Sequence, residues 1–242
     1  MDNSGIVTLT RQAGLLREMQ TVANNIANIS TAGFRAEGVI FAEYVAQLEG
    51  ANGGSLSMAN ASGRMIRMQQ GDIDPTGGSF DFAIEGEGFF LIQTPEGDRL
   101  TRAGSFSPSA TGELVNPDGH MLLDAGGAPI FVPPDVENVS LARDGTLSAD
   151  GRPLALLGLW QPVDPADLSH RGGVQFAVEG EMQPVLEGAT ILQGFIENSN
   201  VDPVGQIARM IEVQRAYEMG QGFLEREDER VRGFLRAIGS TQ

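Results

Sequence analysis

Two long stretches of this chain contain no proline, and they lie at its ends. Between Gly5 and Gly33 only Gly14 interrupts, and from Val204 to Gln242 proline is again absent. The middle, roughly residues 50–194, holds most of the 32 glycines and all of the 12 prolines except Pro203. Proline removes a backbone donor and glycine loosens the chain, so this distribution confines long helices to the ends and leaves turns and short strands for the centre. The predicted class is α+β: N- and C-terminal helices pairing in a coiled-coil-like layer, with a central antiparallel β-barrel or sandwich. Four segments follow: a helix in residues 1–35, a loop-rich connection in 36–78, a β-domain in 79–196 and a helix in 197–242.

In the first segment Leu15, Met19, Val22, Ile26 and Ile29 recur at spacings of 4, 3, 4 and 3, with Leu9, Leu16 and Ala23 as a second row. That is one apolar stripe on one helix. Arg17, Gln20, Thr21 and Asn24 occupy the other face, and Ser30-Thr31-Ala32-Gly33 ends the pattern with a glycine suited to a left-handed turn. At the far end Met210, Tyr217, Leu224, Val231 and Ile238 stand seven apart, with Val213 and Phe234 between them and Gly220 and Glu227 as flaws in the seam. Asn200-Val201-Asp202-Pro203 reads as a cap and a first-turn proline. A helix from Pro203 to Ile238 would run roughly 54 Å. Its stripe needs another helix to cover it.

The middle alternates as strands do. Phe80, Phe82 and Ile84 mark a half-buried strand, and Gly88-Phe89-Phe90-Leu91-Ile92 a more buried one. Turn signals recur at Pro95-Glu96-Gly97-Asp98, Asn116-Pro117-Asp118-Gly119, Arg143-Asp144-Gly145 and Ala149-Asp150-Gly151, with Val139, Leu141 and Leu147 flanking the third as a hairpin.

Composition excludes several classes. The 16 basic residues are all arginine against 32 acids, a net charge of −16, so nucleic acid and anionic membranes are poor partners. No cysteine is present, which removes disulfides, thiolate metal sites and a cysteine nucleophile. The first twenty residues lack a basic region followed by an apolar one, so an ordinary cleaved secretory signal is not expected. His120 and His170 read as exposed loop residues without metal-ligand spacing. Glu85-Gly86-Glu87-Gly88 lacks the third glycine of a dinucleotide loop, Asp144 and Asp150 belong to turns, and Gly104-Ser105-Phe106-Ser107 is no nucleophile elbow. Glu85 and Glu87 are the best carboxylate pair a hydrolase reading could use. No catalytic residue, cofactor, metal or small-molecule substrate is expected, and a secreted adhesin would not need heptads at both ends.

Three motifs carry a resemblance. Ala23-Asn24-Asn25-Ile26-Ala27-Asn28-Ile29-Ser30-Thr31-Ala32-Gly33-Phe34-Arg35 is similar to the N-terminal motif of the flagellar rod and hook proteins. Glu197-Asn198-Ser199-Asn200-Val201 and Met210-Ile211-Glu212-Val213-Gln214-Arg215-Ala216-Tyr217-Glu218 resemble the C-terminal one. Residues 81–90, 100–106 and 112–119 resemble the core of the same family. The modest length points to a rod subunit rather than the longer hook protein. The resemblance implies a chain exported unfolded through the flagellar type III apparatus, without a cleaved signal, to the periplasmic rod. There the end helices would line a hollow shaft against copies of itself and other rod subunits. The expected assembly interface is then Leu15, Met19, Val22, Ile26, Ile29, Met210, Val213, Tyr217, Leu224, Val231 and Ile238. Asn24, Asn25 and Asn28 would fix register through amide contacts to a neighbouring helix. Gln214, Arg215 and Glu218 are either their counterparts or a solvated face, and Gly33, Phe34 and Arg35 form the motif turn.

Overall fold

The computed structural model describes residues 3–47, 55–136 and 138–239. They fall into two compact units. One comprises Met1–Ala27, Glu37–Met65 and Asp202–Gln242; the other comprises Asn28–Ala36 and Ile66–Val201.

The first unit contains α1 (Asn3–Ala27), a two-stranded sheet of β1 (Glu37–Gln47) and β2 (Ser55–Ile66), and α2 (Pro203–Gly239). Gln12, Glu18 and Asn25 on α1 meet Tyr217, Arg209 and Gln206 on α2. Ascending one helix descends the other, so the pair is antiparallel. Gly220 permits the close approach, since a Cβ there would lie 2.1 Å from Gln12 Nε2. The expected first stripe faces this seam: Val22 and Val213 are buried, with Leu15, Met19 and Ile26 half-buried. The second row turns away, leaving Leu9 and Leu16 exposed, because one partner covers only one side of a helix.

Helix α1 ends at Ala27, not near Gly33. The side chain of Asn25 accepts from Glu37 N–H (2.9 Å) and donates to Glu37 C=O (2.8 Å), tying the start of β1 to α1. Asn28 accepts from both the Thr31 N–H and its hydroxyl, closing a turn in place of further helix. At the start of α2, Asp202 Oδ1 accepts from Val204 N–H ahead of an early proline, as the sequence predicts. Residues 36–78, expected as loop, carry three strands instead.

The second unit is β-rich. Its short strands are β3 (Ile73–Pro75), β4 (Phe82–Gly86), β5 (Phe90–Thr94), β6 (Gly97–Thr101), β7 (Ser107–Pro108), β8 (Leu114–Val115) and β9 (Met121–Leu122). There follow β10 (Val139–Leu141), β11 (Thr146–Ala149), β12 (Arg152–Leu156), β13 (Trp160–Pro162), β14 (Leu168–His170) and β15 (Gln175–Val178). The last three are β16 (Met182–Pro184), β17 (Ala189–Gln193) and β18 (Phe195–Glu197). A seven-stranded sheet runs β14-β15-β6-β5-β9-β8-β7, beside which stand β10-β11-β12 and the pairs β13–β16, β17–β4 and β18–β3. The large sheet ends in two edges, so the described strands form no closed barrel.

Strand β5 explains the core. Phe90 and Ile92 point into a cluster with Phe82, Ile84, Phe106 and Leu122, while Leu91 joins Phe89, Leu100 and Phe176 on the opposite face. A strand buried on both sides reads as a continuous apolar run, which is how residues 88–92 read. Phe82, Ala83 and Ile84 are likewise all buried, so the strand expected to be half-buried is enclosed on both faces over those three residues. The hairpin expected from Val139, Leu141 and Leu147 forms, with Val139 opposite Ala149 and Leu141 opposite Leu147. The next turn uses Asp150 (φ 47°) and Gly151 (φ 76°), two left-handed residues as a tight hairpin of this hand requires.

Candidate functional site

Within the β-rich unit, the tail of the N-terminal motif and the head of the C-terminal motif meet. Gly33 turns the chain with φ 73° at a point where a Cβ would lie 2.2 Å from Ala103 N. Only glycine fits. Its N–H donates to Glu197 C=O at 2.7 Å, and Phe34, Ala36 and Val201 form a small apolar cluster with Ile29 and Val174 at its margin. Asn200 clasps the segment: its Oδ1 accepts from Ala36 N–H (2.6 Å), and its Nδ2 donates to Arg67 C=O (3.0 Å) and Gln69 C=O (2.6 Å).

At the centre one carboxylate serves two guanidinium groups. Glu197 Oε1 lies 2.9 Å from Arg35 Nη2, and Oε2 lies 2.9 Å from Arg102 Nη1, with all three side chains 1–2% exposed. Glu197 Oε1 also accepts from Gly71 N–H at 3.0 Å. Arg35 donates to Gln69 C=O, and Arg102 donates to Gly86 C=O (2.7 Å) and Ile84 C=O (3.3 Å) beneath the Phe89 ring. Burial pushes the Arg35 guanidinium down to about 10; Glu197 opposes that shift and Arg102 adds to it. Burial also lowers Arg102, again against the pull of Glu197. The trio carries a net positive charge inside the protein, so removing the shared carboxylate is far costlier than removing one arginine. Chemically it can fasten three remote parts of the chain. Arg35 was expected in the motif turn, while its partners Arg102 and Glu197 stood in the motifs without an assigned role. Period two, carried one residue past the end of β6, gives Arg102 the parity of Leu100.

His170 corrects another expectation. It lies on β14 with its ring 5.3 Å from Phe34 and 4.4 Å from Phe176, and Nε2 is 3.1 Å from Arg35 C=O. His120 is also half-buried, its Nδ1 3.2 Å from the Gln175 amide. Neither is an exposed loop residue. Among the described residues no group of three or more His, Asp or Glu could hold a metal ion.

The helical unit holds the remaining expected residues. Met210, Tyr217 and Leu224 are half-buried on the seam, while Asn24, Gln214, Arg215 and Val231 are exposed. The side chains of Ile238 and Phe234 lie outside the described residues. Asn25, expected to reach a neighbouring subunit, is 1% exposed, and its amide is engaged by Glu37 and by Gln206 Oε1 (3.2 Å) of its own chain. Asn28 and Ile29 fall past the end of α1, in the β-rich unit, so they are not part of a helical stripe. The pairing also uses residues the heptads did not reveal: Gln12 Nε2 donates to Tyr217 C=O (2.8 Å), and Arg209 Nε donates to Glu18 Oε1 (2.6 Å).

The paired end helices, and the end motifs that meet at Glu197, each overlap a stretch matched by a known protein family. Residues 8–35 match the family "Flagella basal body rod protein", residues 83–149 match "Flagellar hook protein FlgE/F/G D1 domain", and residues 192–232 match "Flagellar basal body rod FlgEFG protein C-terminal". The chain belongs to the flagellar basal-body rod protein family. It is similar to the flagellar basal-body rod protein FlgF of Mesorhizobium japonicum, 39% identical over 90% of both chains, and to FlgF of Caulobacter vibrioides, 36% identical over 99% of both. The rod protein FlgG of Bacillus subtilis is 30% identical over 88% of this chain and 90% of its own. Within the family this is a FlgF-like rod protein.

Proposed function

We propose that this chain works as a structural element of the proximal rod, assembling through its end helices into a hollow shaft that carries torque. The observation that carries the reading is the state of the helical unit. Its antiparallel pair buries one seam and leaves Leu16, Ile207, Ile211, Met219 and Phe223 open to water. Fully burying such side chains is worth about 1.5–3 kcal/mol each, and sister copies are the natural cover. The heptads of Met210, Tyr217, Leu224 and Val231 would then continue as a coiled-coil-like layer shared between subunits, with other rod subunits joining at the shaft's ends. Repeated head-to-tail contacts give an open helical assembly, the form a rod needs.

Export through the flagellar type III apparatus, without a cleaved signal, to the periplasmic part of the basal body fits a cysteine-free chain whose helices have few buried apolar groups of their own. The proximal position follows the FlgF relatives; the distal alternative would follow FlgG. The work is mechanical rather than enzymatic. Deleting residues 210–242 tests the reading by sedimentation: the truncated chain should keep its β-rich unit and lose all self-association. A truncated chain that still polymerised like the full one would overturn it.

A further inference from the structure

Between the two helices of the first unit lies a groove of roughly 350 Å³, whose lining includes Arg11, Gln12, Leu15, Met219, Gly220 and Phe223. One feature of it is unfinished. Gln12 is 8% exposed and its Nε2 is committed to Tyr217 C=O, yet its Oε1 is buried with no partner. A buried acceptor left unpaired is destabilising, so the groove wants a donor. Arg11 on its rim is exposed and forms no ion pair among the described residues. The floor is apolar, with Met219 68% and Phe223 37% exposed.

The same chain carries the complement. On α2, Ile207, Ile211, Gln214 and Glu218 stand at intervals of 4, 3 and 4, forming one exposed line of two apolar, one amide and one acidic side chain. Gln214 holds Glu218 in place through a 3.0 Å bond and keeps a second N–H to give. This line and the α2 side of the groove are centred roughly 160° apart around the helix at 3.6 residues per turn. One copy can therefore offer its line to one neighbour and its groove to another.

We infer that the groove receives the Ile207–Glu218 face of a second copy of this chain. The isoleucines cover Leu15, Met219 and Phe223, the Gln214 amide supplies the donor that Gln12 Oε1 lacks, and Glu218 pairs with Arg11. The contact is heterologous and non-closing. It rests on the rod-subunit reading and specifies which faces meet.

The chain has no cysteine, so pairs can be introduced cleanly. Full-length protein carrying both Ile211→Cys and Met219→Cys, assembled and then oxidised, should yield a ladder of disulfide-linked trimers and longer species. Chains with Met219→Cys alone should give no ladder. A second test needs no cysteine: Arg11→Glu or Glu218→Arg should each raise the concentration needed for assembly several-fold, and both changes in one chain should restore it. Normal assembly without the ladder, or charge variants whose effects simply add, would overturn the inference while leaving the rod-subunit reading intact. Wild-type chains that never associate would sink both.

Discussion

In the β-rich unit Phe82, Phe89, Phe90 and Phe176 are wholly removed from water, and even its central ion trio is enclosed. In the helical unit Val22 and Val213 are the only large apolar side chains that are buried among the described residues, at 5% and 1% exposure, while eight others on α1 and α2, from Leu9 to Val231, are exposed. Charge divides the same way. The β-rich unit carries twenty of the 32 acids and seven of the 16 arginines, a net −13, against −3 for the helical unit. A strongly acidic surface keeps copies apart, whereas a nearly neutral, half-apolar one lets them approach. One unit encloses its large apolar side chains, and the other leaves most of its own open.

The comparison breaks most readily at Glu197. Glu197→Gln leaves Arg35 and Arg102 buried without their counter-charge and should cost about 3–5 kcal/mol, read as a fall in the urea midpoint of Trp160, the single tryptophan. That deficit should shrink as the pH rises from 6 toward 10. Burial holds the folded pKa of Arg35 at about 10, below its ordinary value, and Glu197 opposes that shift, so in the variant the guanidinium is pushed lower still. The burden of burying its charge is borne in full below the variant's folded value and relieved above it. A deficit unchanged up to pH 10 would contradict the arrangement.

Gly33→Ala comes next. A side chain at φ 73°, pressed against the Ala103 backbone, should lower the Trp160 midpoint by about 2 kcal/mol or more. Val213→Ala should lower the helical signal at 222 nm and leave the Trp160 midpoint in place, because each unit has its own buried side chains. A parallel loss in both probes would show that the units unfold as one. The smallest effect belongs to Asp144, whose carboxyl is held below the usual carboxylate range by the Thr146 backbone N–H and hydroxyl. Its folded pKa is depressed, so its contribution is present above pH 3.8 and lost as acid carries the pH through the folded value. An NMR titration should place its midpoint under 3.8.

Helices were legible where period decided the matter: Leu15, Met19, Val22 and Ile26 share a face because their spacing fits 3.6 residues per turn. The same spacing misled at Ile29, because Asn25 spends its amide on the Glu37 backbone and Asn28 closes a turn with Thr31, contacts that a periodic pattern does not contain. Residues 55–66 read as loop because Gly, Ser and Asn fill them, although they pair as a strand. The candidate site was half legible. The motifs contain Gly33, Arg35, Arg102 and Glu197, but only the first two were given a role, since Arg102 and Glu197 each look, alone in sequence, like solvated charges. Only their meeting makes them a buried trio, and sequence spacing does not record meetings between residues 95 positions apart.

Hydrogen exchange on the α1 and α2 amides, in dilute full-length chain and in assembled rods, tests the central claim most directly. The account predicts rapid exchange along both helices in the dilute chain, slow exchange in β5 throughout, and strong helix protection that appears only on assembly. Helices as protected in the dilute chain as in the rod would contradict it.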